Sequence, residues 1–201
     1  MPGSLPSRAA DNLFWLGRYI ERSEGALRIL RAWHGRYAES ADPRQPLLAH
    51  VTRYLEALDV EMNDAVPESL LTNINSALYS ASNIRDRFSP DGWLALNDLA
   101  KTARRVHAKV APGDDATHAM TVLLRKLAGF AGLVHENMYR FTGWRFLSIG
   151  RYLERGLHMT RLLGHMTGPD APDGSYDMLL EIGDSVMTHR RRYNVNTAGL
   201  T

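Results

Sequence analysis

The sequence has 201 residues, of which 44% are hydrophobic and 23% charged, and its 24 basic and 22 acidic residues leave a net charge of +2. This is ordinary globular composition, and the balanced charge argues against binding of nucleic acid or an anionic membrane through charge alone. The absence of cysteine excludes disulfides and thiolate ligands and fits a reducing compartment. Because we find neither a signal-peptide pattern nor a run of about 18 apolar residues, we expect a cytoplasmic protein without membrane contact.

Helical periodicity dominates the chain, and strand signals are nearly absent. The first helix is expected from Ser7 or Asp11 to about Glu39, where Asp42-Pro43 interrupts the pattern. Further helices are predicted over residues 46–63, 67–87, 90–111, 116–139, 142–168 and 175–193. Since the connections are short, we predict an all-α, antiparallel bundle of six or seven helices that forms one domain over residues 1–201.

An internal repeat is the strongest signal in the sequence. The segment LGRYIER at residues 16–22 recurs as IGRYLER at residues 149–155, and the offset from Gly17 to Gly150 also maps Arg28 onto Arg161 without a gap. A glycine inside a helix costs roughly 1 kcal/mol relative to alanine, so two equivalent glycines require a reason. We therefore predict that the two motif helices contact each other about a pseudo-twofold axis, with Gly17 and Gly150 at the close approach.

The charged positions of the repeat allow three interpretations. On a helix, Glu21 shares one side with Gly17 and Arg28, and Arg18 and Arg22 lie beside it. In the first interpretation, the charged residues form a solvated cluster on the surface. In the second, they form a buried network in which each glutamate bridges arginines of the two motif helices. In the third, the arginines face a cleft and bind carboxylate or phosphate, and each glutamate orients them. The residue pattern alone does not separate these interpretations.

Several segments resemble one known family. DNLFWLGRYIER at residues 11–22 resembles the opening of the bacterial alpha-E family, and GWRFL at residues 143–147 with the second repeat copy resembles its second signature. LEIGDS at residues 180–185 with THRRRY at residues 188–193 resembles a third, and NIRDR at residues 83–87 followed by Trp93 resembles its middle helix. The resemblance spans nearly the whole chain.

The resemblance implies an all-α bacterial protein that is encoded beside, or fused to, circularly permuted ATP-grasp proteins, often with transglutaminase-like neighbours. The implied setting is the formation or processing of amide bonds on a peptide or small metabolite. It supplies no catalytic residue, and the candidates for binding an anion or a partner are the charged signature and repeat positions: Arg18, Glu21, Arg22, Arg28, Arg151, Glu154, Arg155, Arg161, Asp184, Arg190 and Arg192.

Two features depart from the family pattern. The family usually has tyrosine at the position of His189, and its members continue well beyond the third signature, whereas this sequence stops at Thr201. We therefore expect the usual C-terminal part of the bundle to be missing.

Other motifs give weak signals. Glu154 and His158 have the spacing of helical metal ligands, but the repeat equivalents are Glu21 and Gly25, so we predict no metal site. There is no glycine-rich phosphate loop or nucleophile motif, and we predict no cofactor. Arginines 190–192 suit the C-terminal end of a helix dipole or, alternatively, a patch for phosphate or an acidic partner.

Together these observations favour a non-catalytic accessory or binding module that partners an ATP-grasp-type amide ligase. Its two arginine-rich repeat segments would hold the ligase or, alternatively, an anionic small molecule or peptide. The alternative is an enzyme in which Glu21 or Glu154 acts as general base while arginines hold carboxylates. A nucleic-acid-binding protein is the least favoured class because the net charge is close to zero.

Overall fold

The computed structural model describes residues 5–193, and these fold into eight α-helices, a single 3₁₀ turn and no strand. The all-α prediction is therefore confirmed for the described part of the chain. The helices are α1 (Ser7–Ser40), α2 (Pro46–Glu56), α3 (Glu68–Ser82), α4 (Pro90–His107), α5 (Asp114–Asn137), α6 (Thr142–Met166), α7 (Ser175–Ile182) and α8 (Val186–Tyr193), with the 3₁₀ turn at Arg85–Arg87.

Helix α1 is the centre of the fold, and α3, α5 and α6 pack around it. Its apolar stripe, which includes Leu13, Leu16, Ile20 and Leu27, is buried, so the core lies along this helix. Burial of such a stripe, rather than helix propensity, supplies most of the stability of a helix in a bundle.

Contacts at the two ends of α1 show that α3 runs antiparallel to it. The His34 imidazole lies 2.9 Å from the Ala65 carbonyl oxygen before α3, while the Asn83 amide donates to the Asn12 side chain 3.2 Å away after α3.

Helix α6 runs parallel to α1. Gly143, at the start of α6, lies against Leu13, and His158, further along α6, lies against Gly25. The contacts thus advance in the same direction along both helices, which differs from the antiparallel arrangement that we expected. The reason is that α1 and α6 are far apart in sequence, so a short connection does not set their relative direction.

Two predicted helices end earlier or divide because a non-glycine residue adopts the left-handed conformation. Asp59 has a φ of 58° and Asp184 a φ of 53°. The first stops α2 at Glu56 instead of Asn63, and the second separates α7 from α8 within the segment predicted as one helix. In both turns the backbone N–H of the residue after the left-handed aspartate donates to a carbonyl five residues earlier, from Val60 to Leu55 and from Ser185 to Leu180, both at 2.9 Å.

The third predicted helix also ends early, at Ser82 instead of Arg87, and the 3₁₀ turn follows it. None of the helices in residues 5–193 combines the length and apolar character needed to cross a membrane.

Candidate functional site

The two copies of the repeated segment lie side by side on α1 and α6 and touch at their glycines. A Cβ placed on Gly17 would lie 2.2 Å from the carbonyl oxygen of Leu147, and one placed on Gly150 would lie 2.2 Å from the carbonyl oxygen of Phe14. The repeat offset converts each of these contacts into the other. The predicted contact at Gly17 and Gly150 is therefore confirmed, and its reciprocity is that of a twofold axis running along the helix pair.

The same reciprocity governs the ion pairs. The Glu154 carboxylate of α6 accepts hydrogen bonds from Nε of Arg18 and from Nε and Nη2 of Arg22, both on α1. The two Arg22 distances are 2.9 Å and 3.3 Å.

On the other side of the helix pair, Glu21 of α1 accepts from Nε of Arg151, 3.2 Å away, and from Nε of Arg155, both on α6. Each motif therefore gives its glutamate to the two arginines of the other motif. We call these six residues the arginine clamp: Arg18, Glu21, Arg22, Arg151, Glu154 and Arg155.

Both carboxylates of the arginine clamp are buried, with 6% of the Glu21 side chain and 11% of the Glu154 side chain exposed. Burial by itself raises the pKa of Glu154, but the hydrogen bonds and charges of Arg22 and Arg18 outweigh burial and lower that pKa below its ordinary value. The hydrogen bond to Glu21 raises the pKa of Arg155 despite its partial burial. The clamp therefore favours the ionised form of Glu154 and the charged form of Arg155.

This geometry matches the buried-network interpretation of the repeat and contradicts the solvated-surface interpretation for Glu21 and Glu154. The anion between each arginine pair is the protein's own carboxylate. Because four arginines face two glutamates, the clamp retains two positive charges. The outer guanidinium groups, of Arg22 and Arg155, are 40% and 48% exposed and carry this charge to the surface.

The other predicted site residues lie outside the clamp. Arg28 pairs with Glu24 at 2.9 Å and, more distantly, with the exposed Asp184 at 3.7 Å. Arg161 is exposed on α6, and Arg190 and Arg192 are exposed on α8. The eleven candidates therefore do not form one site, and their binding role stays a prediction.

An open groove adjoins the Arg22 side of the clamp, between α1 and α3. It encloses about 510 Å³, and its lining is aromatic, hydroxyl and amide in character, with Asp11 its one charged residue. The Arg22 guanidinium lies 5.9 Å from the centre of the Tyr19 ring, which lines the groove. The lining comprises Asp11, Asn12, Trp15, Tyr19, Thr72, Asn75, Ser76, Tyr79 and Ser80, and we call it the α1–α3 groove.

A smaller cavity of about 240 Å³ adjoins the opposite side of the clamp, where Arg155, Arg28 and Glu24 line it. His158 also lines this cavity. The repeat did not predict a histidine in this position, since the equivalent residue of α1 is Gly25. Burial lowers the pKa of His158, and its Nε2 has no hydrogen-bond partner among the described residues. The ring fills the space that Gly25 leaves, at 2.9 Å from the position of an added Cβ.

The predicted spacing of Glu154 and His158 does not form a metal site, because arginines occupy the Glu154 carboxylate. Within residues 5–193, no group of three or more histidine, aspartate or glutamate side chains is arranged to hold a metal ion.

Sequence reasoning missed the α1–α3 groove and an ion pair between Arg36 of α1 and Glu181 of α7 at 2.8 Å. The groove combines residues of two helices whose facing positions depend on the packing. The family resemblance did single out the segment containing Glu181, but only as part of a signature whose partner was unknown.

Comparison with known proteins gives one family match and several relatives. A family model named Alpha-E, described as a predicted alpha-helical domain with a conserved ER motif, matches residues 5–200. The Glu-Arg pairs of this chain are Glu21-Arg22 and Glu154-Arg155, which are four of the six clamp residues.

Among the curated relatives are the uncharacterized protein Rv2567 of Mycobacterium tuberculosis (strain ATCC 25618 / H37Rv) and the uncharacterized protein Mb2597 of Mycobacterium bovis (strain ATCC BAA-935 / AF2122/97). Each is 28% identical over an alignment covering 92% of this chain and 25% of the relative. The chain thus spans about a quarter of the length of these relatives. No solved structure matches it.

Proposed function

Because this chain belongs to the Alpha-E family, we propose that it is a non-catalytic binding module that partners an ATP-grasp-type amide ligase in a bacterial system for modifying a peptide or metabolite. Its relatives in mycobacteria support a bacterial setting. The composition and the lack of cysteine favour a cytoplasmic location.

The observation that carries this proposal is the saturation of the family's charged motif by internal ion pairs. A general base must be free to take a proton, and its pKa must lie near the working pH. The Glu154 carboxylate is buried, accepts from two arginines and has a lowered pKa. This arrangement supports a structural role for the motif and gives less support to the alternative in which Glu21 or Glu154 is a catalytic base.

The α1–α3 groove is the surface that we assign to the ligand or partner. Tyr79 and Asn75 are exposed along it, and Arg22 adds the outward positive charge of the clamp at its edge. Aromatic rings with amide groups and an arginine suit a peptide segment that carries a carboxylate or phosphate. The clamp then acts indirectly, by fixing α1 so that the groove keeps its shape.

Titration calorimetry with a co-encoded ATP-grasp protein tests the proposal, with ATP and glutamate-containing peptides as further probes. We expect partner binding to weaken at least about tenfold, or 1.4 kcal/mol, in Tyr79→Ala and Asn75→Ala. Arg105→Ala removes an exposed arginine on α4, away from the groove, and should bind like the wild type. Arg22→Ala should remain folded, because Glu154 keeps Arg18 as a partner, and a thermal melt checks this. The variant should bind the partner more weakly, because it removes the positive charge at the edge of the groove.

Activity measurements on the isolated chain provide the second test. We expect no ATP hydrolysis and no amide-bond formation or cleavage without the partner. Robust turnover by the chain alone, lost in Glu154→Gln, would establish the enzyme alternative instead. Equal partner binding by all groove variants would show that the groove is the wrong surface.

A further inference from the structure

The α1–α3 groove has opposite charges at its two ends. Asp11 lines one end, is exposed, and belongs to none of the ion pairs found within residues 5–193. Arg22 stands at the other end, beside the Tyr19 ring. Glu154 takes Nε and Nη2 of Arg22, while Nη1 has no hydrogen-bond partner among the described residues. The groove therefore has a negative end and a positive end, with uncharged residues between them.

Both ends lie on the same side of α1. Asp11 and Arg22 are eleven positions apart in the sequence, which is within about 20° of three full helical turns and about 16 Å along the helix axis. Trp15 and Tyr19 occupy the turns between them, and their rings stack with centroids 5.6 Å apart. The floor of the groove is thus an aromatic surface between a carboxylate and a guanidinium group.

Helix α3 forms the opposite wall and has the same polarity. Because α3 runs antiparallel to α1, its last turn, which contains Tyr79, lies towards Asp11, and Thr72 lies towards Arg22. The carbonyl groups of the last turn of a helix favour a positive charge. The end of α3 and the Asp11 carboxylate therefore both favour a cation at this end of the groove.

The lining of the groove is polar enough to face water without a covering layer. Every lining residue except Trp15 ends in a hydroxyl, amide or carboxylate group. The Asn75 amide and the Ser76 hydroxyl stand between the charged ends and can both donate to and accept from a peptide backbone. The volume of about 510 Å³ lies within the range of sites for small ligands. These features are those of a binding site for a polar chain.

We propose that the groove binds an extended peptide of about five residues with two free ends, its ammonium group at Asp11 and its carboxylate at Arg22. The inference rests on the proposed function, which assigns the ligand to this groove, and adds the length, the direction and the end groups. An extended chain advances about 3.3–3.6 Å per residue, so about five residues cover the roughly 16 Å between the charged ends. Asp11 accepts from the ammonium group, and Nη1 of Arg22 donates to the carboxylate.

The charges also select against other extended ligands. A nucleotide or another polyanion meets the Asp11 carboxylate, and a polyamine meets the Arg22 guanidinium, so each has a like charge at one end. Juxtaposed like charges suppress the wrong ligand. A peptide with one charge of each sign at its opposite ends pairs with both residues, and its middle side chains lie on Trp15 and Tyr19.

Titration calorimetry of the full chain with the pentapeptide Ala-Ala-Phe-Ala-Ala tests the end groups. We expect acetylation of its amino end or amidation of its carboxyl end to weaken binding about tenfold or more, because each removes a charge-assisted hydrogen bond. The tripeptide Ala-Phe-Ala spans only about 10 Å and reaches one charged end, so it should bind about tenfold more weakly. Equal affinity for the free and both blocked pentapeptides, or no binding of the free one, would overturn the proposal.

Variants of the groove assign each end of the peptide. Asp11→Asn should bind the free and the acetylated pentapeptide equally, and Arg22→Ala should bind the free and the amidated pentapeptide equally. Glu39→Gln removes an exposed carboxylate near the other end of α1 and should behave like the wild type. Thermal melting checks that each variant is folded. Loss of the amidation effect in Asp11→Asn, instead of the acetylation effect, would overturn the proposed direction.

Titration with the ATP-grasp protein separates this inference from the proposed function. A chain that binds the ATP-grasp protein but not the pentapeptide loses only the assignment of the peptide. A chain that binds both ends of the pentapeptide but ignores the ATP-grasp protein loses only the proposed partner.

Discussion

Replacing Glu154 with alanine tests whether the arginine clamp holds the fold together. The carboxylate is the shared partner of Arg18 and Arg22, and its side chain is 11% exposed. Without it, Arg22 can be solvated because 40% of its side chain already faces water, but Arg18, at 16%, remains a buried charge without its partner. The cost therefore falls mainly on Arg18.

Removing one member of a buried ion pair costs about 3–5 kcal/mol, and the partial exposure of Arg22 places Glu154→Ala near the lower end, about 3 kcal/mol. For a chain of this size, each kcal/mol shifts the midpoint of thermal unfolding by about 2–4 °C, so we expect a fall of about 6–12 °C. The reciprocal arrangement of Glu21 predicts a similar loss for Glu21→Ala.

Urea unfolding and scanning calorimetry of the two variants measure these losses against a matched control. Asp86→Ala removes an exposed carboxylate that lies 3.0 Å from Arg87, and a surface pair of this kind contributes at most about 1 kcal/mol. The double variant Arg18→Met/Glu154→Leu removes both buried charges and replaces them with apolar volume, so it should recover most of the stability lost in Glu154→Ala.

Unfolding of Glu154→Ala and Glu21→Ala at the same temperature as Asp86→Ala would contradict a stabilising role for the clamp. A double variant less stable than Glu154→Ala would show that the side chains contribute through packing more than through charge.

Three further predictions concern the backbone and pH. Gly17→Ala should destabilise the protein by about 1–3 kcal/mol, because the added methyl group forces α1 and α6 apart. Gly132→Ala has open space around the added methyl group and should stabilise α5 by up to about 1 kcal/mol. Urea titrations measure both changes, and equal effects would contradict the glycine contact. Ala41→Gly should stabilise the end of α1 by roughly 0.5–1 kcal/mol, because Ala41 holds a φ of 54° there, and a loss in unfolding midpoint would count against this. Burial lowers the pKa of His34, His158 and His165. As the pH falls through about 6.5, the unfolded chain therefore takes up protons before the folded protein does, and the free energy of unfolding decreases. The midpoint of urea unfolding should fall from about pH 7.5 to pH 5.5, and a rising midpoint would contradict the burial of these rings.

The sequence alone predicts the helical class, most helix starts and the contact between the two motif copies. The helix starts at Ser7, Pro46, Thr142 and Ser175 agree with the prediction. Proline suits the first turn because its φ is already helical, as at Pro46, whereas Ser7, Thr142 and Ser175 are first helical residues of helices that no side chain caps. The glycine contact was predictable because the repeat places a costly residue at equivalent positions. The ends of α2 at Glu56 and of α7 at Ile182 were not predictable. The left-handed conformation of Asp59 and Asp184 differs little in energy from a continued helix, and the surrounding packing decides between the two.

The tertiary structure decided what the charged repeat does. The same residues on one helix are compatible with a solvated surface, a binding cleft or a buried network, because helical periodicity fixes which side chains share a face and says nothing about what faces them. Only the parallel packing of α1 on α6 brings Glu21 to Arg155 and Glu154 to Arg18. The tertiary structure likewise buries Leu16 and leaves its repeat counterpart Ile149 exposed, since burial depends on contacts between segments distant in sequence.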